Sequence, residues 1–235
     1  MKYANCKYGD VNFVLAPLYR DNGSYAMKIQ QAEKPLMLDN GAWEFGKSMN
    51  VKQYVKILDE LQPEYAVIPD AYKNRKLTED LTLEFFMEYL QRQLPKTRLM
   101  FAPQGETVDE LIYCYNEVMS QFASHIDIIA IPKHVGEILN RIAFTDILYD
   151  SAVEPFHDVH FLGYWNWEEL RFSPKVGSRW TLHSIDTKAP VKYAFMPHEF
   201  HTQMEYYGTD INVDMDFLEE AIGTFGGLLQ GCQLN

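Results

Sequence analysis

LMLDNGAWE, residues 36–44, is the stretch on which the fold turns. Three apolar residues run into Asp39, Asn40 and Gly41 break the run, and Trp43 follows. The same succession returns along the chain in YAVIPDAY (65–72), LMFAPQGE (99–106), VHFLGYW (159–165) and TLHSIDTKAP (181–190). Each is a short apolar run ending at a polar residue or a glycine: Asp39, Asp70, Gln104, Gly163 and Asp186. Almost wholly apolar runs of this length suit parallel strands buried on both faces. A functional residue just past each strand is how a (β/α) barrel assembles its working rim. The pattern therefore predicts an enzyme and names the residues to test.

Strands are expected over 11–17, 36–39, 65–68, 98–102, 126–132, 159–162 and 180–185, with an eighth around 191–196. Helical patterns fill the gaps. Val51, Tyr54, Val55, Leu58 and Leu61 recur at helical spacing behind the capping residue Asn50. A second helix is expected over 78–94, stopped by Pro95, and a third behind Thr107, with Glu110 completing a capping box. Weaker patterns cover 136–148, 165–172 and 213–229. Strand–helix alternation argues for a parallel sheet. Seven or eight units in 235 residues predict one domain, a single (β/α)8 TIM-type barrel with a reduced or irregular eighth unit. No GxGxxG follows the first strand, so the dinucleotide fingerprint is missing.

The composition narrows the class. An apolar fraction of 47% with 14% aromatics supplies a core and lacks the disorder signature. The net charge of -12 works against nonspecific polyanion binding, although local patches matter more than totals. One such patch runs through Arg171, Lys175, Arg179, Lys188 and Lys192 around Asp186; it reads either as a solvated loop or as a phosphate contact. Cys6, Cys114 and Cys232 are scattered, so reduced thiols and an intracellular protein are expected, with Cys114 a small core residue. The start of the chain lacks the apolar h-region of a signal peptide, and no apolar run is long enough to span a bilayer, so a cytoplasmic protein without membrane contact is expected. His198 and His201 have metal-binding spacing but no third ligand nearby, and neither a metal nor a cofactor is expected. His157 and His160 flank a strand start, away from the rim, and read as structural.

Each rim residue has two readings. Asp39 suits acid–base work or a simple turn cap, and Trp43 suits stacking on a planar ring or a place in the core. Asp70 follows Pro69 and suits ligand binding or a cap. The Gln104 amide both donates and accepts, which fits reading a base edge or bonding loop backbone. Asp186 is a carboxylate that could attack an anomeric carbon and hold a sugar covalently.

Taken together these motifs resemble the tRNA-guanine transglycosylase superfamily, especially its short zinc-less phage relatives that place 7-deazaguanines in DNA. Asp39-Asn40-Gly41-Ala42-Trp43 is similar to the family's second-strand motif, with Ala42 where a second glycine is usual. The resemblance implies that Asp39 is the acid–base group, that Trp43 stacks on the base, and that Asp70, Gln104, Gly105 and the Gly163 backbone contact it. It implies further that Asp186, in Asp-x-x-x-Pro, is the nucleophile. Lys188, Arg179 and Lys192 would then hold the phosphate backbone. The family's Cys-rich zinc subdomain is absent and FLGYW lacks the doubled glycine. DNA is therefore favoured over tRNA as the polynucleotide partner, beside a free deazaguanine base. A partner protein or a second copy of the chain could supply the missing docking surface. If phage-encoded, the protein would work in host cytoplasm. Two other classes stay open: a nucleoside or nucleotide N-glycosidase or base-exchange enzyme on free nucleotides, and a noncatalytic purine-binding protein.

Overall fold

The apolar runs form strands that pair strictly with their sequence neighbours. A computed structural model describes residues 11–32, 35–92, 97–163 and 179–185. Strands β1 (Asn12–Leu15), β2 (Leu36–Asp39), β3 (Tyr65–Val67), β4 (Arg98–Phe101), β5 (Ile128–Ile131), β6 (Asp158–Phe161) and β7 (Thr181–Ile185) make one parallel sheet in the order β1 to β7. Every connection moves one strand over in the same direction. Right-handed crossovers then place the helices on one face, and strand twist curls the sheet into a half-barrel.

The helices are α1 (Ala16–Asp21), α2 (Gly23–Gln30), α3 (Ala42–Phe45), α4 (Val51–Leu61), α5 (Arg75–Tyr89), α6 (Val108–Phe122), α7 (Val135–Ile138) and α8 (Arg141–Ser151). Side-chain caps define several starts. Asn50 accepts from Gln53 N, Asn74 from Leu77 N and Thr107 from Glu110 N. With Asn74 as its cap, α5 begins at Arg75, three residues ahead of the expected start at Thr78. Pro17 does not end a strand; it sits in the first turn of α1, where its missing N–H costs no helix bond. The pattern over 136–148 is two helices, because Asn140 caps α8 through Ile142 N and Ala143 N. Periodicity does not announce α1, α2 or α3, which are too short to repeat a stripe. The strand expected over 191–196 and the helices expected over 165–172 and 213–229 lie outside the described residues.

The strands are apolar on both faces, with period two. Val14, Leu38, Ala66, Leu99, Phe101, Ile129, Ile131, Val159 and Phe161 pack with the helices. Met37, Val67, Met100, Ala102, Ile128 and Ala130 form a second cluster on the other face of the sheet. Cys114 is a fully buried core residue of α6. On the inner face Arg98 of β4 bonds Asp158 of β6 at 2.6 Å, passing over β5. Alternate strands meet this way within one layer of a barrel interior. His160 of β6 bonds Ser184 of β7 at 2.8 Å, beside a bulge in their pairing. No helix among the described residues is long and apolar enough to cross a membrane.

Two buried groups tie the strand ends. The Arg141 side chain is fully buried and donates to Leu162 O at 2.8 Å, holding the end of β6. Pairing between β2 and β3 stops at Leu38 and Ala66. Just beyond, the hydroxyl of fully buried Tyr54 enters between them, 2.7 Å from Val67 O and 3.1 Å from Leu38 O. Burial, with Asp39 and Asp70 nearby, pushes that hydroxyl well above its ordinary pKa, so it remains a donor. Tyr54→Phe should cost about 1–3 kcal/mol by leaving a buried carbonyl short of a donor. Urea unfolding measures it; a loss under about 0.5 kcal/mol would make the wedge energetically idle.

Candidate functional site

The C-terminal ends of β2, β3, β4 and β5 bring most of the expected rim residues together. At the end of β2 the Asp39 carboxylate accepts from Gly41 N at 2.6 Å, and Asn40 Oδ1 accepts from Ala42 N at 2.9 Å. These two side-chain turns swing the chain off the sheet into α3. Gly41 has φ +76, and a Cβ there would lie 2.8 Å from Pro17 Cγ, so no larger residue fits this turn. The turn-cap reading of Asp39 is therefore met locally, whatever else the carboxylate does.

Asp70, just past β3, is 7% exposed and gripped from both sides. Asn40 Nδ2 donates to its Oδ1 at 2.7 Å, and Gln104 Nε2, from the end of β4, donates to its Oδ2. Gln104 Oε1 in turn accepts from Lys73 N at 3.1 Å. Gly105 lets this loop press on α6, since a Cβ would lie 2.7 Å from Glu110 Cβ. Behind it, buried His134 at the end of β5 bonds Gly105 O through Nε2 at 3.2 Å. A carbonyl only accepts, so Nε2 carries the proton and Nδ1 is an acceptor without a hydrogen-bond partner among the described residues.

Burial dominates both titrating groups. It raises the Asp70 carboxyl from 3.8 to about 6, against the Asn40 and Gln104 bonds that favour the ionised form. Burial also drives the His134 imidazole down to about 4, against the Gly105 bond. At neutral pH the site thus holds a carboxylate that protonates easily beside a neutral imidazole.

An aromatic shelf adjoins the cluster through His134. Trp43 of α3 is 53% exposed and Tyr72 39%. Their rings meet edge to face at 4.8 Å, and Tyr72 meets His134 the same way at 5.2 Å. Trp43 is therefore no core residue. Lys133 Nζ lies 6.0 Å from the Trp43 ring centre and Lys73 Nζ 5.3 Å from that of Tyr72. Lys73 also pairs with Glu137 at 2.9 Å. Gly163, with φ +59, turns the chain after β6 against Lys133, whose Cβ would sit 3.3 Å from a Cβ added there.

Arg179 is not part of this rim. It precedes β7, at the strands' N-terminal edge, where it bonds Asp150 at the end of α8 and lies over Tyr149. Strand direction places it there, although it is only seven residues from Asp186 in sequence. Asp186, Lys188, Lys192, His198 and His201 lie outside the described residues. Among described residues no cluster of His, Cys, Asp and Glu could hold a metal ion. Sequence reasoning passed over Asn40, Tyr72, Lys73, Lys133 and His134. Asn40 and His134 were findable in principle, as polar residues close behind a strand end. No protein-family model matches the chain, and no curated protein matches it.

The two shifted groups oppose each other in stability. Asp70 binds its proton more tightly when folded, so its contribution is full below about pH 3.8 and lost as pH rises through about 6. His134 binds its proton less tightly when folded, so its contribution is full above about pH 6.5 and lost as pH falls through about 4. Each shift corresponds to about 3 kcal/mol. Asp70→Asn should therefore lose stability toward acid, and His134→Gln should lose it toward neutrality, relative to the wild type. Urea unfolding between pH 4 and 7 reads this; three parallel profiles would refute the assignment.

Proposed function

We propose that this rim reads a guanine-like base and that the protein is a base-exchange glycosyltransferase on a polynucleotide. The observation that carries the reading is the buried Asp70 carboxylate held by Asn40 and Gln104, on the same strand-end edge of the sheet as the exposed Trp43 ring. Guanine offers N–H donors on its Watson–Crick edge, which an ionised carboxylate accepts, and a carbonyl oxygen, which a side-chain amide satisfies. Without a base, Asp70 and Gln104 satisfy each other. Trp43 supplies a ring face on which a purine stacks.

The chemistry follows from the resemblance in the motifs. A carboxylate oxygen of Asp186, one residue past β7, attacks C1′ as the bond from C1′ to the guanine nitrogen breaks. Guanine departs with a proton delivered through Asp39. The incoming 7-deazaguanine gives up its ring N–H proton to Asp39, attacks C1′ and releases the Asp186 carboxylate. A duplex substrate must first extrude the base, at a few kcal/mol. The parallel half-barrel and the Arg98–Asp158 contact over β5 support completion of the sheet to an eight-stranded ring. The net charge of -12 favours a second reading, the same chemistry on a free nucleotide.

Incubation with guanine-labelled DNA, tRNA and dGMP tests both readings, by label release and by a trapped covalent species. Release from polymer alone supports the first, release from dGMP alone the second, and release from none removes the activity. Asp186→Asn should abolish release and the covalent species while base binding persists; wild-type turnover in that variant would remove the nucleophile assignment. Trp43→Ala should weaken guanine binding by about 1–3 kcal/mol, measured by calorimetry, and an unchanged affinity would take the ring out of the site.

A further inference from the structure

The shelf beside Trp43 has more surface than one base needs. Tyr72 presents a part-exposed ring almost perpendicular to Trp43, at an interplanar angle of 79°. Two ammonium groups flank these rings: Lys73, 5.3 Å from the Tyr72 centre, and Lys133, 6.0 Å from the Trp43 centre. Both come from strand-end loops, after β3 and β5, and so stand on the same edge of the sheet as Asp70 and Gln104. The Lys73 backbone already belongs to the cluster through its bond to Gln104, while its side chain reaches outward to Glu137. That ion pair is exposed, and exposed pairs are screened by solvent and salt, so a phosphate can compete for the ammonium.

We infer that Tyr72, Lys73 and Lys133 form a landing for the single strand that flanks the target base, the tyrosine ring taking a neighbouring base and the two lysines its phosphates. The inference rests on the base-reading proposal for Asp70 and Gln104. Aromatic faces interleaved with cations are the usual means of holding a single strand without reading its sequence. The near-perpendicular rings suit a target base turned away from its neighbour, because two stacked bases could not lie flat on both. The landing replaces Arg179, which the fold carries to the opposite edge.

The test is binding of fluorescein-labelled single-stranded decathymidylate, which has no guanine, followed by anisotropy across a sodium chloride series. The wild type should bind with salt-sensitive affinity. The pair Lys73→Ala with Lys133→Ala should weaken binding about tenfold at low salt, and flatten the log–log salt slope by about 0.7 for each phosphate left without its ammonium. The pair Lys73→Arg with Lys133→Arg keeps both charges and should retain the slope, which separates removal of charge from misfolding. Arg179→Ala should bind as the wild type does. Equal affinity and slope in the alanine pair and the wild type would overturn the landing, as would an effect confined to Arg179→Ala. Guanine binding, measured separately, distinguishes the two proposals. A wild type that binds decathymidylate but not guanine keeps the landing and removes the base reading. One that binds guanine but not decathymidylate removes the landing alone.

Discussion

The Asp70 carboxylate holds the ends of three strands together. Asn40 comes from β2, Asp70 from β3 and Gln104 from β4, and the three side chains meet in one buried cluster. Removing a carboxylate from water is costly unless its oxygens find donors. Here each oxygen has an amide donor, which keeps the raised pKa near 6 rather than far higher. The amides in turn are fixed elsewhere: Asn40 to Ala42 N, Gln104 to Lys73 N. A partly satisfied network of this kind would be worse than an apolar core, so its completeness explains why the loops adopt these turns.

The cluster needs room, and the sheet supplies it by letting β2 and β3 part. Their ladder stops at Leu38 and Ala66, and the Tyr54 hydroxyl fills the gap from the helix side. Gly41 and Gly105 then permit approaches that a Cβ would block. The candidate site's side chains thus sit just past strand ends rather than on long loops, as they do at a barrel rim. The opposed titrations of Asp70 and His134 let a charged site exist without a steep pH penalty across mildly acid conditions.

A second polar layer lies deeper on the inner face, in Arg98, Asp158, His160, His183 and Ser184. Barrel interiors are usually filled by branched aliphatic side chains. Here Met37, Val67, Met100, Ile128 and Ala130 fill part of the space, and the ion pair spans β4 to β6 across β5. Its separation along the strands from Asp70 assigns it to holding the curled sheet, beneath the rim that carries the proposed chemistry.

Much of this was legible in the chain itself. Short apolar runs located all seven described strands, and Asn50 and Thr107 marked helix starts, because caps and periodicity are local effects. The bounds of β2 and α4 were read to the residue. Strand ends named Asp39, Asp70, Gln104 and Gly163 as rim positions, since direction along a parallel strand follows from order alone. Tertiary structure alone decided which of them touch. That Asn40 and Gln104 grip Asp70, that His134 backs Gly105, that Trp43 stands in solvent and that Arg179 meets Asp150 all depend on how elements far apart in sequence pack together. Period and spacing assign a residue to a face and an end. Distances across neighbouring strands are set by how the sheet pairs and curls, and no local signal carries that.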